Sequence, residues 1–272
     1  MTYAPAIPLS GYAGWTFLKR TMPVQTATFN AAQQNKRDED YFRANIGKID
    51  TAEQLVNDRR LLNVALRAFG LENDINNKFF VQKVLQDGTF KPEALANKLA
   101  NNQYQQMSAA FGFGDFSIPR SKISDFSDKI LTQFRTRQFE AAVGTQNGDF
   151  RLALNLQREL PEIAGKAGSS ENSKWFTVMG NAPLRKVFEK ALGLPVSTGT
   201  LDLQLSIFKS RAKSQFGADT VSQFSDPAAL EKLTRRFIMR SEAEAFTQSG
   251  AGNAALVLMQ QAVSSAQMMR RF

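Results

Sequence analysis

Glycine marks where the helices of this chain stop. Three tetrads of the form Ala-apolar-Gly-apolar, Ala68-Phe69-Gly70-Leu71, Ala110-Phe111-Gly112-Phe113 and Ala191-Leu192-Gly193-Leu194, each close a segment of helical length. In the stretch Leu55 to Phe69, the residues Leu55, Leu62, Ala65, Leu66 and Phe69 recur at steps of three, four and seven, the spacing of one helix face. From Ser121 onward Phe126, Ile130 and Phe134 fall on one stripe, and Val143 precedes Gly144. Almost nothing alternates with period two. The fold class predicted is all-α, a multi-helix body of about ten helices.

Gly70, Gly112 and Gly193 therefore read as helix caps. Each follows the last periodic residue, where a left-handed backbone closes the final turn and only glycine adopts it without steric cost. The apolar residue after each glycine then folds back, with Leu71 toward Ala65, Phe113 toward Met107 and Leu194 toward Phe188 as the expected contacts. Further order repeats around the caps. Leu61, Val64, Ala65 and Phe69 before Gly70 match Leu184, Val187, Phe188 and Leu192 before Gly193. Asp74 opens a segment resembling the one at Asp202, and Phe90 with Pro92 resembles Phe224 with Pro227, where Pro suits a first helical turn and Phe a hydrophobic staple. A fourth tetrad, Ala245-Phe246-Thr247, has lost its glycine.

This order predicts an internal duplication of a helical unit, about residues 51–116 and 174–247, with Ile123 to Ile163 inserted after the first. The expected division is an N-terminal helical arm, 1–50, broken near Pro23 and Asn35; a first unit with its inserted helices, 51–163; a second unit, 174–247; and an amphipathic or disordered tail, 248–272. Ala164 to Ser173 reads as the linker. In the tail Ala255, Met259, Ala262, Ala266 and Met269 keep helical steps ahead of Arg270 and Arg271.

Two absences narrow the chemistry. The 272 residues contain no Cys and no His, which removes thiolate nucleophiles, disulfides, zinc fingers, imidazole bases and imidazole metal ligands. Carboxylate-only chemistry, a Lys or Ser nucleophile, or magnesium held by acids is what remains. The densest acidic run, Arg37 to Asp40, puts consecutive carboxylates about 100 degrees apart on a helix, poorly placed to converge on a metal. Gly112 to Phe116, GFGDF, superficially suggests a phosphate loop but lacks the preceding strand and the lysine ending. No serine sits in a nucleophile elbow. No catalytic residue, metal ligand or cofactor site is assigned, and the chain is expected not to be an enzyme.

The net charge is +9, and residues 151–272 hold 16 Lys and Arg against 10 acids. Arg235, Arg236 and Arg240, with Arg270 and Arg271 in the tail, form the best candidate basic patch for a partner. Nucleic acid is disfavoured, because Phe237 lies on the expected buried stripe instead of interleaving the patch as a stacking platform. No apolar run reaches the length of a membrane span, and the N-terminus lacks the basic start and apolar stretch of a cleavable signal.

The segments Pro8 to Thr21, Asp58 to Gly88, Ala110 to Phe116 and Trp175 to Pro195 together resemble a bacterial domain-of-unknown-function family, number 1217, over about Pro8 to Glu244. The resemblance implies a mostly helical, non-enzymatic, flagellum-associated protein with a structural or assembly role. It implies protein partners, flagellar components among them, and a cytoplasmic or flagellum-associated location, with the N-terminal helices and the tail as binding elements. The alternative reading is a helical binder of an anionic surface, nucleic acid or lipid, through the basic C-terminal half.

Overall fold

The computed structural model describes residues 4–194 and 200–248 and places thirteen α-helices in them, with no strand among the described residues. They are α1 (Gly11–Asn30), α2 (Gln33–Asn45), α3 (Ala52–Asn57), α4 (Arg59–Phe69), α5 (Lys78–Asp87), α6 (Leu95–Lys98) and α7 (Asn102–Phe111). Then follow α8 (Phe126–Gly144), α9 (Gly148–Ala164), α10 (Glu171–Gly180), α11 (Ala182–Leu192), α12 (Leu201–Phe216) and α13 (Pro227–Gln248). The expected tail helix, Arg270 and Arg271 lie outside the described residues.

The three glycine caps take the left-handed backbone, with φ of 73° at Gly70, 68° at Gly112 and 68° at Gly193. Two of them build the full Schellman pattern. Leu71 N donates to Leu66 O at 2.9 Å and Gly70 N to Arg67 O at 3.2 Å; Leu194 N donates to Glu189 O at 2.8 Å and Gly193 N to Lys190 O at 3.1 Å. Gly112 forms the simpler left-handed cap, its N–H donating to Ser108 O at 2.8 Å, and Phe113 stacks on Phe111 with centroids 5.6 Å apart. At the fourth joint the missing glycine has a direct consequence: α13 runs through Thr247 without stopping.

The helices pack around two apolar cores. The first gathers Phe42 from α2, the apolar faces of α3, α4, α5 and α7, and Phe126, Ile130, Leu131 and Phe134 of α8. The second gathers Trp15, Leu18 and Phe29 of α1, Phe139 and Val143 of α8, and the inner faces of α9 to α13 around Trp175, Phe188, Phe208, Phe224 and Phe237. Burying side chains of this size stabilises by roughly 1.5–3 kcal/mol each relative to exposure. One helix, α8, thus supplies its first half to one core and its second half to the other.

Several local expectations change. Pro23 does not break α1, which spans it; buried Trp15 and Leu18 before it and Phe29 after it hold the helix against the second core. The break falls at Ala31 and Ala32, and Asn35 tethers it by donating Nδ2 to Phe29 O at 2.9 Å. The apolar stripes of the N-terminal helices are buried, α1 in the second core and Phe42 of α2 in the first, while Val24 of α1 stays exposed. Pro92 does not open a helix either. Residues 89–94 form turns, the following helix is the four-residue α6, and Phe90 is exposed, whereas Pro227 begins the long α13 behind the N-cap residue Asp226 and buried Phe224.

Candidate functional site

Helices α8 and α9 run against each other where the two cores meet, and there the apolar packing gives way to charge. Arg158 of α9 makes a two-point bond to Glu140 of α8, Nε to Oε1 at 2.7 Å and Nη2 to Oε2 at 3.0 Å. Glu159 is only 8% exposed and collects four donors: Arg158 at 2.8 Å, Arg137 at 3.0 Å, Asn181 at 2.6 Å and Asn155 at 3.3 Å. Burial pushes the Glu159 carboxyl up, but Arg158 and Arg137, with the bonds from Arg158 and Asn181, outweigh it and hold the group below the ordinary glutamate range. Asn181 also serves the backbone, its Oδ1 accepting from Leu184 N at 3.1 Å to cap the start of α11. The network therefore ties α8, α9 and α11 together with two positive and two negative charges.

Beside the network lies a cleft of about 520 Å3. Its walls are the end of α4 (Arg67, Gly70), α8 (Arg137), the first turns of α9 (Asp149, Arg151, Asn155) and the start of α11 (Pro183, Lys186). A Cβ added to Gly70 would sit 2.7 Å from Nη1 of Arg137, so the guanidinium lies directly over the capped end of α4. Positive charge there meets the negative end of the helix dipole.

The same device recurs at Gly193, and it accounts for most of the described basic patch. A Cβ on Gly193 would meet Nη2 of Arg240 at 2.5 Å, and Arg236 Nε donates to Ala191 O at 2.7 Å, so both arginines of α13 cover the end of α11. Arg235 lies over the Tyr12 ring at 5.2 Å. The arginine over Gly70 comes from α8, a helix inside the segment read as an insert, and the one over Gly193 comes from α13. Phe237 is fully buried, as its stripe predicts.

GFGDF resolves into a structural latch. Gly114 lets two loops touch, since a Cβ there would fall 2.4 Å from Gly88 N. Asp115 accepts from Thr89 N at 2.6 Å, Thr89 Oγ1 at 2.8 Å and Phe90 N at 3.0 Å. These bonds hold Phe90 edge-on to Phe116, centroids 5.2 Å apart, with Arg120 over the Phe116 ring at 4.8 Å. The pair stays at the surface: Phe90 is 68% exposed, Phe116 38% and nearby Ile118 71%.

The acidic run at Arg37 to Asp40 diverges. Asp38 faces Arg60 at 3.4 Å, and Glu39 turns to Arg135. Among the described residues no three acids come together in a way that could hold a metal, and no helix is long and apolar enough to cross a membrane.

A strand-free helical body over the described residues, with a charged seam between two apolar cores, defines an all-α protein whose site must be read from its side chains. The chain belongs to the family described as protein of unknown function (DUF1217), whose model matches residues 68–230. That match lies inside the wider span over which the sequence resembles the family. Among solved structures the chain is similar to the crystal structure of protein AGR_C_984 from Agrobacterium tumefaciens, with a TM-score of 0.71 and 22% identity over 89% of this chain and 99% of that one. At that identity the likeness shows a shared fold. No curated protein matches the chain.

Sequence reasoning missed the α8–α9 network. A signal was available: Arg137 and Glu140 stand three apart, Asn155 and Glu159 four apart, each on a helix flanked by buried apolar residues. Complementary polar pairs on consecutive helices of opposite direction mark a facing seam.

Proposed function

We propose that this protein is a non-enzymatic interaction protein of the bacterial flagellum, acting in structure or assembly by docking a protein partner. The observation that carries the reading is the exposed Phe90–Phe116 ring pair, whose Phe90 backbone is anchored by Asp115, with Ile118 exposed two residues further along the chain. Apolar side chains so fixed lose little conformational freedom on binding, which is what makes aromatic anchors effective at interfaces. The flagellar setting comes from the family resemblance. The alternative, an anionic-surface binder using the C-terminal half, has less support, because Arg236 and Arg240 cover the end of α11.

Deleting the gene and scoring swimming and filament formation tests the setting, with loss of motility expected; unchanged motility with normal filaments refutes it. Complementation with Phe90→Ser/Ile118→Ser tests the surface. Both residues are exposed, so the variant is expected to fold and yet fail to restore swimming.

A further inference from the structure

Helix α13 separates its charges. Its three acids turn to other helices: Glu231 accepts from Lys19 at 2.7 Å and Tyr12 at 3.0 Å, Glu244 pairs with Lys190 at 3.4 Å, and Glu242 lies where a Cβ on Gly11 would stand. Its four bases, Lys232, Arg235, Arg236 and Arg240, follow steps of three and four, which sets them along one side of the helix with Met239 and Ala243. These residues line one shallow surface groove. Among the described residues, none of the four bases has a carboxylate within ion-pair distance.

Each base is also held in place. Arg235 lies over the Tyr12 ring at 5.2 Å and Lys232 over the Phe216 ring at 5.7 Å. Arg236 uses Nε on Ala191 O at 2.7 Å, which leaves both Nη groups, and the Arg240 guanidinium lies against Gly193. Side chains ordered beforehand lose little freedom on binding, and a fixed guanidinium fork matches a carboxylate. The groove's other chemistry narrows the occupant. No aromatic side chain is among its described lining residues and Phe237 is buried, so unpaired nucleic-acid bases find no stacking platform. Met239, 50% exposed, is the one large apolar side chain there, which gives a lipid-inserting face little area. The sequence after Gln248 contains no Asp or Glu, so this chain's own C-terminus cannot supply the acids.

We propose that this face of α13 docks an acidic amphipathic helix of a protein partner. Carboxylates one helical turn apart on the partner meet Lys232, Arg235, Arg236 and Arg240, and an apolar residue between them packs on Met239 and Ala243. The face is separate from the Phe90–Phe116 pair, since α13 packs on α1, α9 and α11 while Phe90 follows α5. The row from Lys232 to Ala243 rises about 16 Å, three helical turns.

Fluorescence anisotropy of the full chain with a labelled Ala-based peptide of about 16 residues, carrying Glu at steps of three and four around a central Leu, tests this. Saturable binding is expected, with the Gln counterpart of the peptide at least about tenfold weaker and a marked loss of affinity between about 50 and 200 mM salt. Lys232→Glu/Arg235→Glu changes two exposed residues and is expected to keep the circular dichroism spectrum of the parent. It should bind the Glu peptide at least about tenfold more weakly and gain binding to a Lys peptide of the same pattern, which the parent rejects. Met239→Ser should weaken the Glu peptide about threefold. No saturable binding at about millimolar peptide, equal binding of the Gln peptide, or unchanged binding by the folded double variant would each overturn the proposal. So would tighter binding to phosphatidylglycerol vesicles than to the Glu peptide, or a dimer in sedimentation that the double variant splits, which would give the face to a second copy.

Discussion

Replacing Glu159 by Gln keeps the shape of the side chain and removes one charge from the seam. Both carboxylate oxygens are in use, Oε1 by Arg137, Arg158 and Asn155 and Oε2 by Asn181. Glutamine offers one acceptor and one N–H2 group, so whichever way it turns, a donor faces a donor. The two guanidiniums are left with Glu140 alone. Removing one partner from a buried ion network costs about 3–5 kcal/mol, a large part of the 5–15 kcal/mol that holds an ordinary domain together. For a chain of this size that corresponds to a fall in melting temperature of roughly 6–20 °C.

The pH dependence gives a second check. Because the folded Glu159 is held below its ordinary value of 4.5, its contribution is complete above that value and is lost as pH falls through the lower, folded one. The deficit of Glu159→Gln should therefore be full at neutral pH and shrink as both proteins are acidified below the ordinary glutamate range. Urea unfolding of the parent, Glu159→Gln, Arg137→Met and the double variant across this range measures all of it. The double variant restores charge balance, so it should be about 1–3 kcal/mol more stable than the sum of the single losses. A Glu159→Gln protein within about 1 kcal/mol of the parent at neutral pH would refute the reasoning.

Gly193→Ala should destabilise more than Gly217→Ala. Both positions have positive φ and incur the roughly 1–2 kcal/mol left-handed penalty, but a Cβ at 193 also collides with the Arg240 guanidinium, whereas nothing lies within 4 Å at 217; equal unfolding midpoints would contradict the arginine-covered cap. Asp115→Ala should leave both cores intact while releasing the latch, seen as faster hydrogen exchange at the Thr89 and Phe90 amides with no comparable change at Leu66 or Val187.

How legible this protein is depends on how local the cause is. The caps at Gly70 and Gly193 follow from a few adjacent residues, so periodicity and backbone stereochemistry place them correctly. Pro23 and Pro92 misled in opposite directions for one reason. A proline's local preference is weak against tertiary packing, which carries α1 through Pro23 and denies the segment after Pro92 a buried face to fold onto. That Arg236 and Arg240 of the basic patch meet the end of α11, at Ala191 and Gly193, could not be read from the sequence of α13, because that contact joins segments about 45 residues apart. The cleft was hidden more deeply, since four helices that are distant in sequence supply its walls.

The shared rod α8 has a consequence for how the molecule comes apart. Its nineteen residues cannot melt at one end without unroofing a core, nor can either core be cut away without leaving half of α8 bare. Among the described residues, a cut between the two cores would therefore expose apolar surface of α8 on one side or the other. The two cores are expected to lose structure in one unfolding transition.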